Sequence, residues 1–146
     1  MVQDIASAFI ETGFHPVFSE FELASRYPQS DFPDNLGDYD VIAVNQAQKE
    51  IWLIESKVLQ NVGSIYEDQM QQKSFFFQHR DDEKFQRRID YIRNELGKVT
   101  SVLKLGCVDY VVIPYMVTNK LFTSRYKKLE FPIISYHELM KKLENM

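Results

Sequence analysis

Asp40, Glu55 and Lys57 are the residues whose types and spacing point most clearly to chemistry. Asp40 lies near the start of one β-type segment, and Glu55-Ser56-Lys57 closes the next segment along the chain. Mg²⁺ is commonly held by one or two carboxylates, with waters completing its ligand shell. An ammonium group beside such a site would orient or help deprotonate a water and stabilise developing negative charge. The trio therefore predicts a site for metal-assisted phosphodiester hydrolysis.

Two β-type segments, residues 38–45 and 50–58, carry this trio and are joined by a short polar loop, the pattern of an antiparallel hairpin. With a four-residue loop, the register sets Asp40 opposite Glu55. Opposed Cβ atoms are about 4.5 to 5.5 Å apart, a distance at which like charges destabilise the pair. A divalent cation would offset this repulsion, and the backbone carbonyl of Ser56 would be a third ligand. The alternative is that Glu-x-Lys is a surface ion pair, which contributes little.

The rest of the pattern predicts the order α, β, β, β, α, α, β, β, α. Residues 51–54 are apolar on both faces of their strand, which is typical of a central strand covered by helices on both sides. The other predicted elements are a helix over 5–10, a strand over 14–23, a loop over 24–37, helices over 65–77 and 85–96, strands over 108–117 and 132–134, and a last helix opened by a capping box at 135–138. We therefore expect an α/β fold with a mixed central β-sheet flanked by helices.

The composition indicates one globular unit. A chain of 146 residues with 45% apolar side chains suffices for one core, so we expect a single domain over residues 1–146. No apolar run is long enough to span a membrane, and we expect no membrane partner. The single cysteine, Cys107, excludes an internal disulfide and favours a reducing, cytoplasmic location. The net charge of -4 argues against a protein that coats nucleic acid, but a local basic stripe would still hold a phosphate backbone.

The segments 37–44 and 51–57 together resemble the core motif of the PD-(D/E)XK nuclease superfamily, which includes restriction endonucleases and Holliday-junction resolvases. The resemblance implies a restriction endonuclease-like three-layer sandwich. It also implies that Asp40 and Glu55 bind Mg²⁺, for which Mn²⁺ can substitute, and that Lys57 acts in catalysis. The function it implies is Mg²⁺-dependent cleavage of DNA by an endonuclease-like domain, in a restriction or repair context.

The first helix departs from the pattern of that superfamily, because many members carry an extra Glu early in it. Here this region offers Gln3 and Asp4, and Glu11 comes only at the helix end. The departure motivates an alternative function: a catalytically inactive domain of the same fold that binds nucleic acid or a protein. The helix begins almost at Met1, so we expect the chain to be the C-terminal part of a larger protein. Partners would then be DNA, further domains or a second copy of the chain.

Two further groups of polar residues are candidates for contacts to DNA or to the site. Basic residues that would contact the DNA backbone occur on the second long helix and in the segment after the 108–117 strand. They are Lys84, Arg87, Arg88, Lys120, Arg125, Lys127 and Lys128. For the helix, the alternative is a solvated face on which the cations alternate with acidic residues, namely Asp81, Asp82, Glu83 and Asp90. Polar residues on the helix that follows the motif, Glu67 and Gln71, are candidates for assisting at the metal site.

Overall fold

The computed structural model describes residues 1–60, 63–120 and 128–146. Its elements are α1 (Val2–Glu11), β1 (Val17–Phe21), α2 (Leu23–Arg26), β2 (Tyr39–Asn45), β3 (Glu50–Lys57), α3 (Ile65–Lys73), α4 (Asp81–Asn94), α5 (Leu96–Val102), β4 (Val111–Thr118), β5 (Ile133–Ser135) and α6 (Tyr136–Glu144). In the described ranges, no helix is long and apolar enough to cross a membrane.

Five strands form one mixed sheet in the order β1-β2-β3-β4-β5. β1, β2 and β3 are antiparallel neighbours, whereas β4 runs parallel to β3 and β5 runs parallel to β4. β3 is therefore the central strand, and its residues 51–54 are buried on both faces, as predicted. The predicted α/β class, with a mixed sheet flanked by helices, is confirmed.

Side-chain alternation along β2 and β3 separates the core into two layers. Ile42 and Leu53 pack with Ile89 of α4 on one face of the sheet. On the other face, Trp52 packs with Phe9 of α1 and with residues of α6. Each such side chain contributes roughly 1.5 to 3 kcal/mol when it is fully buried. Together these contacts hold β2 and β3, and with them the motif residues, between two helical layers.

The structure corrects several predicted boundaries. The helix predicted over 65–77 is α-helical only to Lys73 and continues as the π-helical turn Ser74–Gln78. Arg80 then adopts a left-handed conformation, with φ of 52°, so α4 starts at Asp81 as a separate helix. β4 starts at Val111 instead of residue 108. Apolar periodicity missed these boundaries because it does not distinguish an α-helix from a π-helical turn and does not fix the first residue of a helix or strand.

Candidate functional site

Asp40 and Glu55 come together where the ladder between β2 and β3 ends. The ladder pairs Val41 with Ile54, so the predicted hairpin register is confirmed, and the next position sets Asp40 level with Glu55. The Asp40 carboxylate Oδ2 accepts a hydrogen bond from the backbone N–H of Ser56 at 2.7 Å. Burial raises the pKa of Asp40, and this hydrogen bond opposes the rise. The carboxylate of Asp40 thus contacts β3 directly beside Glu55.

Glu55 is a buried carboxylate with two cationic neighbours. Only 6% of the residue is exposed. The Arg88 Nη1 atom donates to its Oε2 at 2.9 Å, and the Lys57 Nζ atom lies 3.6 Å from its Oε1. Burial raises the pKa of Glu55 to about 7, and the negative charge of Asp40 adds to the rise, although both cations oppose it. The repulsion expected between the two carboxylates is therefore present, and the chain itself supplies part of the compensating charge.

Arg88 is held in place from both sides. Its Nε atom donates to the Leu36 carbonyl at 2.8 Å, and its own carbonyl accepts from the Tyr39 hydroxyl at 3.1 Å. Gly37 has φ of 79°, and a Cβ atom there would lie 3.2 Å from the Arg88 Nη2 atom. The loop before β2 therefore packs closely on the guanidinium and fixes its direction toward Glu55.

Unlike the other α4 residues predicted to contact DNA, Arg88 is directed toward Glu55. The side chain is only 13% exposed and is directed into the site, because residue 88 borders the apolar stripe that continues at Ile89. Lys84 and Arg87 are exposed, and Arg87 donates to the Asn35 carbonyl at 3.1 Å. Of the three α4 residues predicted to contact DNA, these two keep the surface position that a phosphate contact requires.

Lys57 bridges the site to the start of α4. Its Nζ atom lies 3.2 Å from the Asp81 Oδ1 atom as well as 3.6 Å from Glu55. Sequence reasoning treated Asp81 only as part of an acidic, solvated helix face. Asp81 lies in the first turn of α4, where the helix dipole favours a carboxylate, but no local sequence signal connects it with Lys57, which is 24 residues away. The structure thus adds Asp81 and Arg88 to the predicted trio.

The oxygen donors at the site are few. Among the described residues, no group of three Asp, Glu, His or Cys side chains is arranged to hold a metal ion. Asp40, Glu55 and the backbone of Ser56 remain as candidate ligands, and one or two carboxylates with several waters are a donor set that suits Mg²⁺. α1 packs on the opposite face of the sheet, where Gln3 donates to the Ser19 hydroxyl at 3.4 Å. The described side chains of α1 therefore bring no carboxylate to the face that carries Asp40 and Glu55.

A cleft of about 700 Å³ lies between the end of β3, α3 and the start of α4. Asp81, the partner of Lys57, lines it. Glu67 and Gln71, the predicted assisting residues, also line it. The Glu67 Oε2 atom accepts from the Gly63 N–H at 2.7 Å, and the Gln71 amide donates to the Gln60 carbonyl at 3.1 Å. Both side chains are therefore placed on the cleft, where their hydrogen bonds are made to the backbone that precedes α3.

The second basic segment is only partly described. Lys120 is half-buried and its Nζ atom donates to the Gln60 carbonyl at the border of the cleft, whereas Lys128 is exposed. Arg125 and Lys127 lie outside the described residues. Lys120 is thus the member of this group that the structure brings toward the site.

We compared the chain with models of protein families, with curated proteins and with solved structures. None of these comparisons finds a match.

Proposed function

We propose that the chain is a Mg²⁺-dependent DNA phosphodiester hydrolase, an endonuclease-like domain of the PD-(D/E)XK type. The observation that carries the proposal is the buried Glu55 carboxylate beside Asp40, with Lys57 on the same face at the open end of β3. The element order and the mixed sheet, covered by helices on both faces, support a restriction endonuclease-like three-layer sandwich. The free thiol of Cys107 suits a reducing, cytoplasmic setting.

Asp40 and Glu55 would hold the Mg²⁺ ion, with the Ser56 carbonyl as a further ligand. When bound, the ion would supply Lewis-acid polarisation of the phosphate and promote the loss of a proton from water. Lys57 would orient the attacking water through its ammonium group, which Asp81 and Glu55 hold from two sides. Arg88 donates a 2.9 Å hydrogen bond to the Glu55 carboxylate, so the ion would have to share this ligand with a guanidinium.

The test is cleavage of plasmid and single-stranded DNA in the presence of Mg²⁺ or Mn²⁺. We expect metal-dependent cutting by the wild type and its loss in Asp40→Ala and in Lys57→Ala. Lys49→Ala is the matched control, because Lys49 forms a 2.8 Å ion pair with Asp109 at the opposite end of β3. Cutting by Asp40→Ala and Lys57→Ala at the wild-type rate would refute the proposal.

A second candidate function is a catalytically inactive binding module of the same fold. It is favoured by the small number of carboxylates in the described part of the site and by the cations, Arg88 and Lys57, that already contact Glu55. A metal that binds only the folded state raises its melting temperature. If Mn²⁺ raises the melting temperature of the wild type and Asp40→Asn abolishes this rise, the enzyme is supported. If Mn²⁺ does not raise the melting temperature of the wild type, the binding module is favoured.

A further inference from the structure

The cleft beside the carboxylates is joined to the site through one side chain. Asp81 lines the cleft and its Oδ1 atom lies 3.2 Å from the Lys57 Nζ atom. The volume of about 700 Å³ falls in the range of roughly 300 to 1,000 Å³ found for pockets that bury small organic ligands. One nucleotide is a ligand of that class. A substrate bound at Lys57 could therefore extend a nucleotide into the cleft.

The cleft offers exposed apolar side chains to such a ligand. Val58, directly after β3, is 74% exposed, Tyr66 of α3 is 70% exposed and Met70 is 39% exposed. Apolar and aromatic side chains that line a cleft are a usual feature of ligand-binding sites. An aromatic ring provides a stacking surface for any base, because every base has a π-face. The lining thus suits a nucleobase.

The charges in and around the cleft favour different positions for the base and for the phosphates of a bound DNA strand. Among the described residues that line the cleft there is no Lys or Arg, and two are carboxylates, Glu67 and Asp81. Such a lining repels phosphate. Cations lie at its borders instead, where Lys57 contacts Asp81 and Lys120 contacts the Gln60 carbonyl. The phosphates of a DNA strand could therefore lie along the borders of the cleft while one base enters it.

We infer that the cleft binds an unpaired nucleotide, and that the substrate is single-stranded DNA or a duplex with a single-stranded flank. The inference rests on the proposed nuclease function and names its substrate class. In a duplex the bases are paired and stacked, so a base reaches a protein pocket only after it has been unpaired. Binding to intact duplex depends instead on cations that meet its phosphates, and no Lys or Arg is found among the described residues of the cleft lining.

The test measures binding separately from cleavage, in EDTA, by the fluorescence anisotropy of labelled oligonucleotides. The probes are a single strand, the blunt duplex of the same sequence, and an abasic single strand. We expect the single strand to bind most tightly. Tyr66→Ala should weaken its binding about tenfold, the size that loss of one base-aromatic stack implies. Tyr66→Phe should retain it, and Val111→Ala, an exposed apolar residue at the opposite end of the sheet, should have no effect.

Equal binding of the abasic strand or of the duplex would overturn the inference, as would unchanged binding by Tyr66→Ala. The failure of the inference and that of the nuclease proposal are distinguishable. If Asp40→Ala abolishes metal-dependent cutting but Tyr66→Ala does not change binding, the nuclease proposal is supported and the inference about the cleft is refuted. If binding depends on the bases and is weakened by Tyr66→Ala, but no DNA is cut, the cleft inference is supported and the nuclease proposal is refuted.

Discussion

Glu55→Gln in the metal-free protein tests whether the buried carboxylate governs the pH dependence of stability. Glutamine keeps the shape of the side chain and an oxygen that can accept from Arg88, but it cannot ionise. In the wild type, burial and the charge of Asp40 raise the pKa of Glu55 from 4.5 to about 7. The substitution therefore removes the titration of Glu55 itself.

The sign of the effect follows from proton binding. The unfolded chain loses the Glu55 proton near pH 4.5 and the folded protein loses it near pH 7. Between these values the folded state binds more protons than the unfolded state, so the free energy of unfolding falls as the pH rises. The stability is fully present below the unfolded pKa and is lost as the pH passes the folded pKa. A tenfold change in proton affinity is worth about 1.4 kcal/mol, so the loss amounts to about 3 kcal/mol.

The assay is urea unfolding followed by the fluorescence of Trp52, the single tryptophan, which is buried beside α1. The free energy of unfolding is measured in EDTA between about pH 4.5 and about pH 8. Burial raises the pKa of Asp40 as well, so the informative quantity is the difference between the profiles of the wild type and Glu55→Gln. We expect these profiles to diverge by about 3 kcal/mol over this range.

A control substitution separates this effect from a general change in charge. Glu144→Gln removes an exposed carboxylate near the end of α6 and should give the wild-type profile. Parallel profiles for the wild type and Glu55→Gln would show that Glu55 titrates alike in both states. The reasoning that burial and Asp40 destabilise its ionised form would then be refuted.

Two further predictions use the same unfolding assay with neighbouring residues as controls. Arg88→Met leaves a buried carboxylate without its closest cation and should cost about 3 to 5 kcal/mol at about pH 8, whereas Arg87→Met, on the exposed side of α4, should stay within about 0.5 kcal/mol. Equal losses would contradict the role given to Arg88. Gly37→Ala should cost about 1 to 2 kcal/mol because of its left-handed φ and the 3.2 Å approach to the guanidinium. Gly97→Ala in α5, where a Cβ atom meets nothing within 4 Å, should instead stabilise by about 0.5 to 1 kcal/mol; a loss there would count against the argument.

The fold could be predicted largely because its signals are local. The apolar residues 51–54 predict a central strand, and the short loop before Glu50 fixes the hairpin register that the structure has. The predicted capping box is also present, since the Ser135 hydroxyl accepts from the Glu138 N–H and the Glu138 carboxylate accepts from the Ser135 N–H. Each of these features depends on residues within a few positions of one another. Sequence patterns describe that range well.

The site could be predicted only in part because half of it depends on contacts between distant segments. Asp40 and Glu55 follow from the hairpin. Arg88 is 33 residues from Glu55. The sequence pattern of α4 predicts a DNA contact for Arg88 and not a contact with Glu55. Asp81 contacts Lys57 from the first position of α4, directly after the left-handed residue Arg80 that separates α4 from the π-helical turn. Periodicity predicts which residues share a helix face, but not how far that face is rotated toward the sheet.

Arg88 supplies part of the positive charge that the Asp40 and Glu55 carboxylates require. From the sequence we expect a bound divalent cation to offset the repulsion between the two opposed carboxylates. In the structure, Arg88 and Lys57 already contact Glu55. A divalent ion must therefore compete with a guanidinium at 2.9 Å, and part of its binding free energy is used to displace or share that contact. The rise in melting temperature with Mn²⁺ should then be larger in Arg88→Met than in the wild type, with Arg87→Met as control. An equal or smaller rise would mean that Arg88 does not compete with the ion, and that it supports the metal-binding arrangement instead.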